Sequence, residues 1–410
     1  MEATGEERMN KITAKSMCTA IAMAMATPAL AQMSDNVVKI GVMDGLSGPY
    51  ADLQGMGDVV AARMAIKDFG GQVAGKPIEL VFGDLQHKVD VAMSLARRWY
   101  DVDNVDAIFG LGDSAVALAV QGLTQQKDRI NVVIAAGSPA LTGANCSPNG
   151  IHWTYDNYAV PRATTLATIK DQGKSWYFIT ADYAFGHSLE ASTSAAVKAA
   201  GGTVVGSVRV PMNNADFSSF ILQAQSSKAD VIALANAGQD LINSMKQLAE
   251  FGTKQRVVGL LVTLTDVHSL GLRTAQGLTF TEAFYWDQND KTREFSKRFQ
   301  ELHGKPPTMM QASMYGAVMH YLKAIQAAGT DSAKPVMAKM KEMPINDFMT
   351  TNGQVREDGR AIRDLYILRA KKPGDSKGEW DLLDQIGTIA GKDAFRPIAE
   401  GGCPFVTGQK

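Results

Sequence analysis

Several ordinary markers of chemistry are scarce in this sequence, and each scarcity excludes something. Cysteine occurs three times in 410 residues, at Cys18, Cys146 and Cys403. No two are spaced as a zinc knuckle or a CxxC redox pair. The six histidines, His87, His152, His187, His268, His303 and His320, give no HxxxH face, so metal hydrolysis is not expected. Charge of one sign is also missing: 41 basic residues face 42 acidic ones, for a formal net charge of −1. A nucleic-acid partner needs a basic excess to meet phosphates, and none is present. Beyond the extreme N-terminus there is no apolar run long enough to span a bilayer. No GxSxG elbow and no GK[ST] phosphate loop occurs, and the first predicted strand is followed by GLSGPY, not by GxGxxG. Cys146 has no histidine near it in sequence, and Ser114 has no evident base beyond the adjoining Asp113. Asp44 and Glu282 are carboxylates that could meet across a cleft, yet no catalytic constellation emerges. No enzyme activity, no cofactor and no metal are expected.

What is present begins with an address. Lys11 and Lys15 precede an apolar stretch from Met17 to Met25, and Ala29-Leu30-Ala31 puts small residues at −3 and −1 of a cut before Gln32. This is the pattern of a secretory signal peptide over 1–31, and its apolar stretch is too short for a stable membrane helix. Cys18 follows Lys15-Ser16-Met17 and lies ahead of most of the apolar run, so lipidation is not expected. Cleavage removes three charges of each sign and leaves two cysteines. In an oxidising compartment Cys146 and Cys403, both in predicted loops, are expected to pair.

The remaining chain alternates short apolar strands with helices. Strands are predicted at 37–43, 78–82, 106–111 and 130–136, with helices at 55–69, 89–100 and 114–126. After the polar aromatic stretch His152-Trp153-Thr154-Tyr155-Asp156 the pattern repeats, with strands at 175–180, 203–210, 230–235 and 256–261 and helices at 160–171, 187–200, 217–225 and 240–251. Residues 277–286 read as extended, followed by helices at 291–303, 308–328 and 333–342, then a strand at 365–368 and a charged hairpin-like loop at 371–379. Strands this uniformly apolar imply an α/β fold with parallel-type sheets covered on both faces. The helices after 286 do not complete the second block, so the chain is expected to cross between lobes more than once.

Loops at the C-terminal ends of such strands are where ligands bind in open α/β sheets. The candidates are Ser47 and Tyr50 after the first strand, Ser114 as N-cap of a helix, and Ala136 and Ser138 after the fourth strand. The second block adds Tyr183 and Phe185, Asn236 and Gly238, and Thr265, with Tyr155 and Glu282 between blocks. Hydroxyls and backbone N–H groups without Arg or Lys suit a small carboxylate better than a polyanion.

In this order, KIGVMDGLSGPYADLQG (39–55), AARMAIKDFGG (61–71), GLGDSAVALA (110–119), AAGSPALTG (135–143), TADYAFGHSLE (180–190) and ADFSSFILQAQSSKADVIALANAG (215–238) resemble the periplasmic substrate-binding proteins of ABC transporters, in the leucine/isoleucine/valine-binding-like group. The resemblance covers about 37–400. It implies the type I fold: two Rossmann-like lobes with three interlobe crossings, lobe one from 37–157 and 286–360, lobe two from 158–285, and lobe-two strands with the C-terminal tail in 361–400. It further implies that Ser114, Ala136 and Ser138 hold a ligand carboxylate, that Phe185 and Tyr183 cover it, and that Asn236–Gly238 and Thr265–Asp266 contribute from lobe two. An amino-acid ligand would need an acid, for which Glu282, Asp266 or Asp156 are available. The HWTYDNY segment (152–158) and the two loop cysteines look closer to a subgroup binding aromatic carboxylates. An aromatic acid is therefore the first expectation, a branched-chain or other hydrophobic amino acid the alternative, and a ligand sensor of the same fold a further one. The expected partners are a small carboxylate and ABC permease membrane subunits, with no nucleic acid and a monomeric, periplasmic protein.

Overall fold

Apolar β-branched runs form the centre of the molecule. The computed structural model describes residues 33–406, so the signal peptide expected at 1–31 lies outside the described residues. The first sheet contains β1 (Val38–Asp44), β2 (Gln72–Val73), β3 (Lys76–Asp84), β4 (Ala107–Gly110), β5 (Ile130–Val133) and β6 (Gly150–His152), in the order β2-β3-β1-β4-β5-β6. All its pairings are parallel except the short hairpin of β2 with β3. β4 and β5 are buried throughout, as strands covered by helices on both faces must be. The second sheet holds β7 (Ser175–Ala181), β8 (Thr203–Val210), β9 (Val231–Ala235) and β10 (Arg256–Gly259) in the order β10-β9-β7-β8, all parallel.

Helix Gly55–Phe69 ends at Gly70, whose φ of 106° only glycine adopts readily, as the Gly70-Gly71 pair predicts. The predicted helices of both blocks form with boundaries shifted by up to three residues. Helices Asp290–His303 and Met309–Ala328 pack on Gly55–Phe69 and so return to the first sheet. The chain passes between the two sheets after residue 152, after residue 282 and again just before residue 365.

One element departs from the parallel expectation. β11 (Thr279–Glu282), β14 (Leu365–Ala370) and β15 (Leu383–Ile389) form an antiparallel sheet, with the loop 371–382 joining the last two. Its Phe280, Leu368, Ala370 and Leu383 share a core with Ile179, Ile232 and Leu234 of the second sheet. Just before it, β12 (Gln354–Val355) pairs with β13 (Ala361–Ile362), and Arg360 bridges His152 of the first sheet. Entry into the second lobe's strands thus comes at Leu365. After β15 the C-terminal tail leaves the second lobe. It returns to the first lobe, where Arg396 donates to Pro139 O at 3.0 Å and the sulfurs of Cys403 and Cys146 lie 1.97 Å apart.

The crossings are tied to one another. Arg360 is fully buried, donates to Tyr155 O at 2.9 Å, and lies 3.7 Å from Asp156 and 4.5 Å over the Phe395 ring. Burial pulls its guanidinium down to about 9, so it stays charged at neutral pH.

Candidate functional site

Between the two sheets lies a narrow pocket, whose roughly 340 Å³ of space not filled by atoms includes its open mouth. The first lobe supplies most of its wall. Tyr50, Leu53 and Gln54 come from the loop after β1 and its approach to the next helix. Gly112, Asp113 and Ser114 follow β4, and Ala135 and Ala136 follow β5. Met310 arrives on the returning helix, and Tyr155 from the first crossing. The second lobe adds Tyr183, Phe185, Ala237 and Leu261.

The polar atoms gather at the end formed by the β1 and β4 loops. Asp113, not Ser114, caps helix Ser114–Gln126: its Oδ1 accepts from Ala115 N at 2.8 Å and Val116 N at 3.1 Å. The expectation that Ser114 is the N-cap is corrected accordingly, because the acid one residue earlier takes those N–H groups. Ser114 is the first helical residue, and its Oγ is buried without a partner. The Gln54 carboxamide is likewise buried with neither its oxygen nor its nitrogen bonded. It lies so close over Gly112 that a Cβ there would come within 1.7 Å of Gln54 Oε1. Beside them His87 Nδ1 stands 3.6 Å from Asp113 Oδ2, and its ring meets Tyr50 edge-on.

Behind this end sit two buried acids. Asp44 Oδ1 accepts from Gly112 N at 2.9 Å, and Asp58 adjoins it from helix Gly55–Phe69. Burial raises the Asp44 carboxyl well above its usual range, and the neighbouring Asp58 raises it further. Burial pushes Asp58 up to about 7. Two carboxyls this close are held by one shared proton.

Next to the cavity, the carbonyls of Ala135 and Ala136 are occupied. Tyr155 Oη donates to Ala135 O at 2.7 Å, and His152 Nε2 lies 2.7 Å from Ala136 O. A carbonyl only accepts, so His152 carries its proton on Nε2. Burial holds this imidazole well below its usual pKa, hence neutral. The two crevice walls touch directly. Tyr50 and Tyr183 hydroxyls are 2.5 Å apart, and Gln239 N donates to Pro49 O at 3.2 Å. Asn157 N donates to Gly137 O at 2.7 Å while its Nδ2 donates to Phe185 O at 3.1 Å, so the first crossing is bonded to both lobes. Gly238 has φ +57°, and a Cβ there would stand 2.4 Å from Pro49 O. The structure is therefore the closed arrangement of the two lobes.

Of the residues read from the sequence, Tyr50, Ser114, Ala136, Tyr155, Tyr183 and Phe185 line this cavity. The other six do not. Ser47 is exposed and donates to Asp84 at 2.6 Å. Ser138 caps the turn Pro139–Thr142 by accepting from Ala140 N at 3.4 Å. Asn236 is turned into lobe two, where its Nδ2 bonds Asp240 O and Ser244 Oγ. Gly238 and Thr265 line a neighbouring depression at the edge of the interface, together with Pro49 and Asp266. Glu282 is buried in lobe two beside Asp266, and burial raises both acids, Asp266 to about 7. Asp44 meets Asp58, and Glu282, the other carboxylate it could have met across a cleft, adjoins Asp266 instead.

Sequence reasoning passed over Leu53, Gln54, Ala135, Leu261 and Met310, treated Asp113 only as a neighbour of Ser114, and reached Ala237 only as part of the segment Asn236–Gly238. Four of the five passed over lie within four residues of a singled-out residue or end a predicted strand, so widening each motif would have found them. Met310 has no local signal, since only the return of its helix brings it to the cavity. Among the described residues no group of three or more His, Cys, Asp or Glu is placed to hold a metal ion.

Comparison with known proteins agrees with this architecture. The family model described as periplasmic binding protein matches residues 37–378. The crystal structure of a periplasmic binding protein from Burkholderia mallei is 44% identical and covers 90% of this chain and 99% of its own, with a TM-score of 0.89. A branched chain amino acid ABC transporter periplasmic ligand-binding protein from Burkholderia xenovorans is 41% identical over the same shares, with a TM-score of 0.80. The Leu/Ile/Val-binding protein homolog 6 of Brucella melitensis is 25% identical over 369 residues, 86% of this chain and 93% of that protein. Since the match runs over most of the length, the chain belongs to the periplasmic binding protein family, as a substrate-binding protein of an ABC transporter in the Leu/Ile/Val-binding-like group and not an enzyme.

Proposed function

We propose that this protein captures a small hydrophobic amino acid between its lobes and presents it to a membrane permease. The observation that carries this reading is the composition of the cavity wall. Apolar and aromatic side chains surround it, and its polar end holds Ser114, Gln54 and Asp113 without any Lys or Arg. Asp113, which accepts from Ala115 N and Val116 N with His87 3.6 Å away, still adds an acid to this end, so a carboxylate there gains from a positive charge carried by the same ligand. A zwitterion brings an ammonium group to offset that acid, while its carboxylate takes the Ser114 hydroxyl. The 41% identical Burkholderia xenovorans protein, described as part of a branched chain amino acid transporter, supports the same class. This reverses the order of the sequence expectation, which put an aromatic acid first. The second reading keeps a specific support: Tyr155, Tyr183 and Phe185 give three aromatic walls.

The proposed mechanism is hinge closure about the three crossings. Ligand docks on lobe one, and lobe two closes over its apolar body. Closure is favoured only by contacts that exist in the closed form, so ligand shifts an open–closed equilibrium. In this proposal the chain is exported, cut after Ala31, and acts as a monomer. Thermal shift with L-leucine, L-isoleucine, L-valine, L-phenylalanine, benzoate and 4-hydroxybenzoate tests the reading. An aliphatic amino acid should raise Tm most; stabilisation by the benzoates alone would replace the main reading with the second.

A further inference from the structure

The unpaired polar atoms beside the cavity are concentrated in lobe one. Gln54 is 1% exposed, and its carboxamide oxygen and nitrogen both lack partners; Ser114 Oγ and both ring nitrogens of His87 are also unpaired. A buried polar group left unbonded in this way destabilises the unliganded site, so a ligand that bonds it gains affinity. The carboxamide occupies room that the missing side chains leave: a Cβ on Gly112 would fall 1.7 Å from its oxygen, and one on Gly45 3.0 Å from its nitrogen. Asp44, which bonds Gly112, and its partner Asp58 fix the floor beneath it. Lobe two supplies no matching group: Glu282 and Asp266, the acids available there for an ammonium, do not line the cavity.

We propose that Gln54 is a specificity-determining residue that reads a hydrogen-bonding substituent close to the ligand's carboxylate. This rests on the reading of the cavity as an amino-acid site. Besides offsetting Asp113, the ammonium is then read by a lobe-one amide and not by a lobe-two acid. Gln54 Oε1 accepts from the substituent, Ser114 Oγ donates to the carboxylate, and Gln54 Nε2 is left to donate to whichever oxygen is nearer. A plain carboxylate of the same shape leaves the amide oxygen unpaired and binds more weakly.

The test uses two matched series in isothermal titration calorimetry with the purified protein. One is L-leucine, (S)-2-hydroxy-4-methylpentanoate and 4-methylpentanoate; the other is L-phenylalanine, 3-phenyllactate and 3-phenylpropanoate. The wild type should bind the substituted acids on the order of 100-fold more tightly than the unsubstituted one in whichever series it accepts. Gln54→Met keeps an unbranched chain of similar volume and should collapse that ratio below about tenfold, without a matching change in the Tm of the unliganded protein. Gln54→Glu should raise the preference for the amino over the hydroxy acid. A ratio that survives in Gln54→Met overturns the proposal, even if amino-acid binding itself stands. So does a wild type that binds all three members of a series alike, a result that needs no variant to fold. Binding of the phenyl series alone would replace the aliphatic reading while the ratio still judges Gln54, and binding of neither series would overturn both.

Discussion

The two lobes build opposite walls of one cavity from different material. Lobe one brings Gln54, Asp113 and Ser114, with Asp44, Asp58 and His87 packed close by. Lobe two brings Phe185, Ala237 and Leu261, and its one polar lining group is the Tyr183 hydroxyl, already engaged with Tyr50. Lobe two does hold a pair of buried acids, Asp266 and Glu282. Asp266, however, is engaged by Thr263, whose N and Oγ1 both donate to its Oδ2 at 2.9 Å, in a capping box for helix Leu264–Leu270. In lobe one the Gln54 carboxamide and the Ser114 hydroxyl have no such internal partner. The contrast assigns different jobs: lobe one reads the head of the solute, and lobe two shuts over its body. The shared strand–helix grammar of the two blocks therefore does not make them functionally equivalent.

The comparison breaks most readily at closure. In Gly238→Val the new side chain would collide with Pro49 O across the interface, at a position whose φ already disfavours any Cβ. The expected result in calorimetry is a loss of ligand affinity of roughly 100-fold or more, with lobe one intact. Unchanged affinity would mean that the ligand does not need this closed arrangement. Ser114→Ala comes next: a hydrogen bond to a charged group is worth about 1.5–3 kcal/mol, so affinity should fall roughly 10- to 100-fold. Tyr183→Phe removes the second lobe's polar lining atom and should cost only a few-fold, because that hydroxyl bonds Tyr50 and not the solute. Equal losses at Ser114 and Tyr183 would erase the proposed division of labour.

The smallest effect concerns pH. Asp58 in the folded protein titrates near 7 against an ordinary value of 3.8, so the folded state holds a proton that the unfolded chain has released between those values. Its contribution to stability is fully present below about 4 and is lost as pH rises through 7. The buried, neutral His152 and His320 act in the opposite sense near pH 6.5, so the difference between wild type and Asp58→Asn isolates the carboxyl. Between pH 5 and 7.5 the wild type should lose on the order of 3 °C more Tm than Asp58→Asn. Parallel pH profiles would show that the Asp44–Asp58 pair does not hold the shared proton.

Much of the fold was legible because apolar runs and glycine stops are local signals. Helix Gly55–Phe69 and strand Thr203–Val210 lie where the spacing predicts them. What was not legible depends on distant partners. β15 reads LDQIGTI, mostly exposed, and becomes a strand through its pairing with β14. Apart from the expected pairing of Cys146 with Cys403, nothing local signals the return of the tail to lobe one, which also rests on contacts such as Arg396 with Pro139. At the site, strand-end loops pointed to Ser114 and Phe185, since chain topology delivers those ends to the crevice. They did not distinguish Ser138 from Ser114. Both are buried serines after strands, but Ser138 caps its own turn, whereas Asp113 performs that service for Ser114 and leaves its hydroxyl free. Gln54 was passed over because a glutamine in a loop carries no signal until its partners are found to be missing.

The central claim is that lobe one holds the solute's head and lobe two its body. A crystal structure of the protein with a bound aliphatic amino acid tests it most directly. The account predicts the carboxylate within hydrogen-bond distance of Ser114 Oγ, the ammonium at Gln54, and the side chain against Phe185 and Leu261. A head group turned toward Glu282 or Asp266, or a ligand seated outside the crevice, would contradict it.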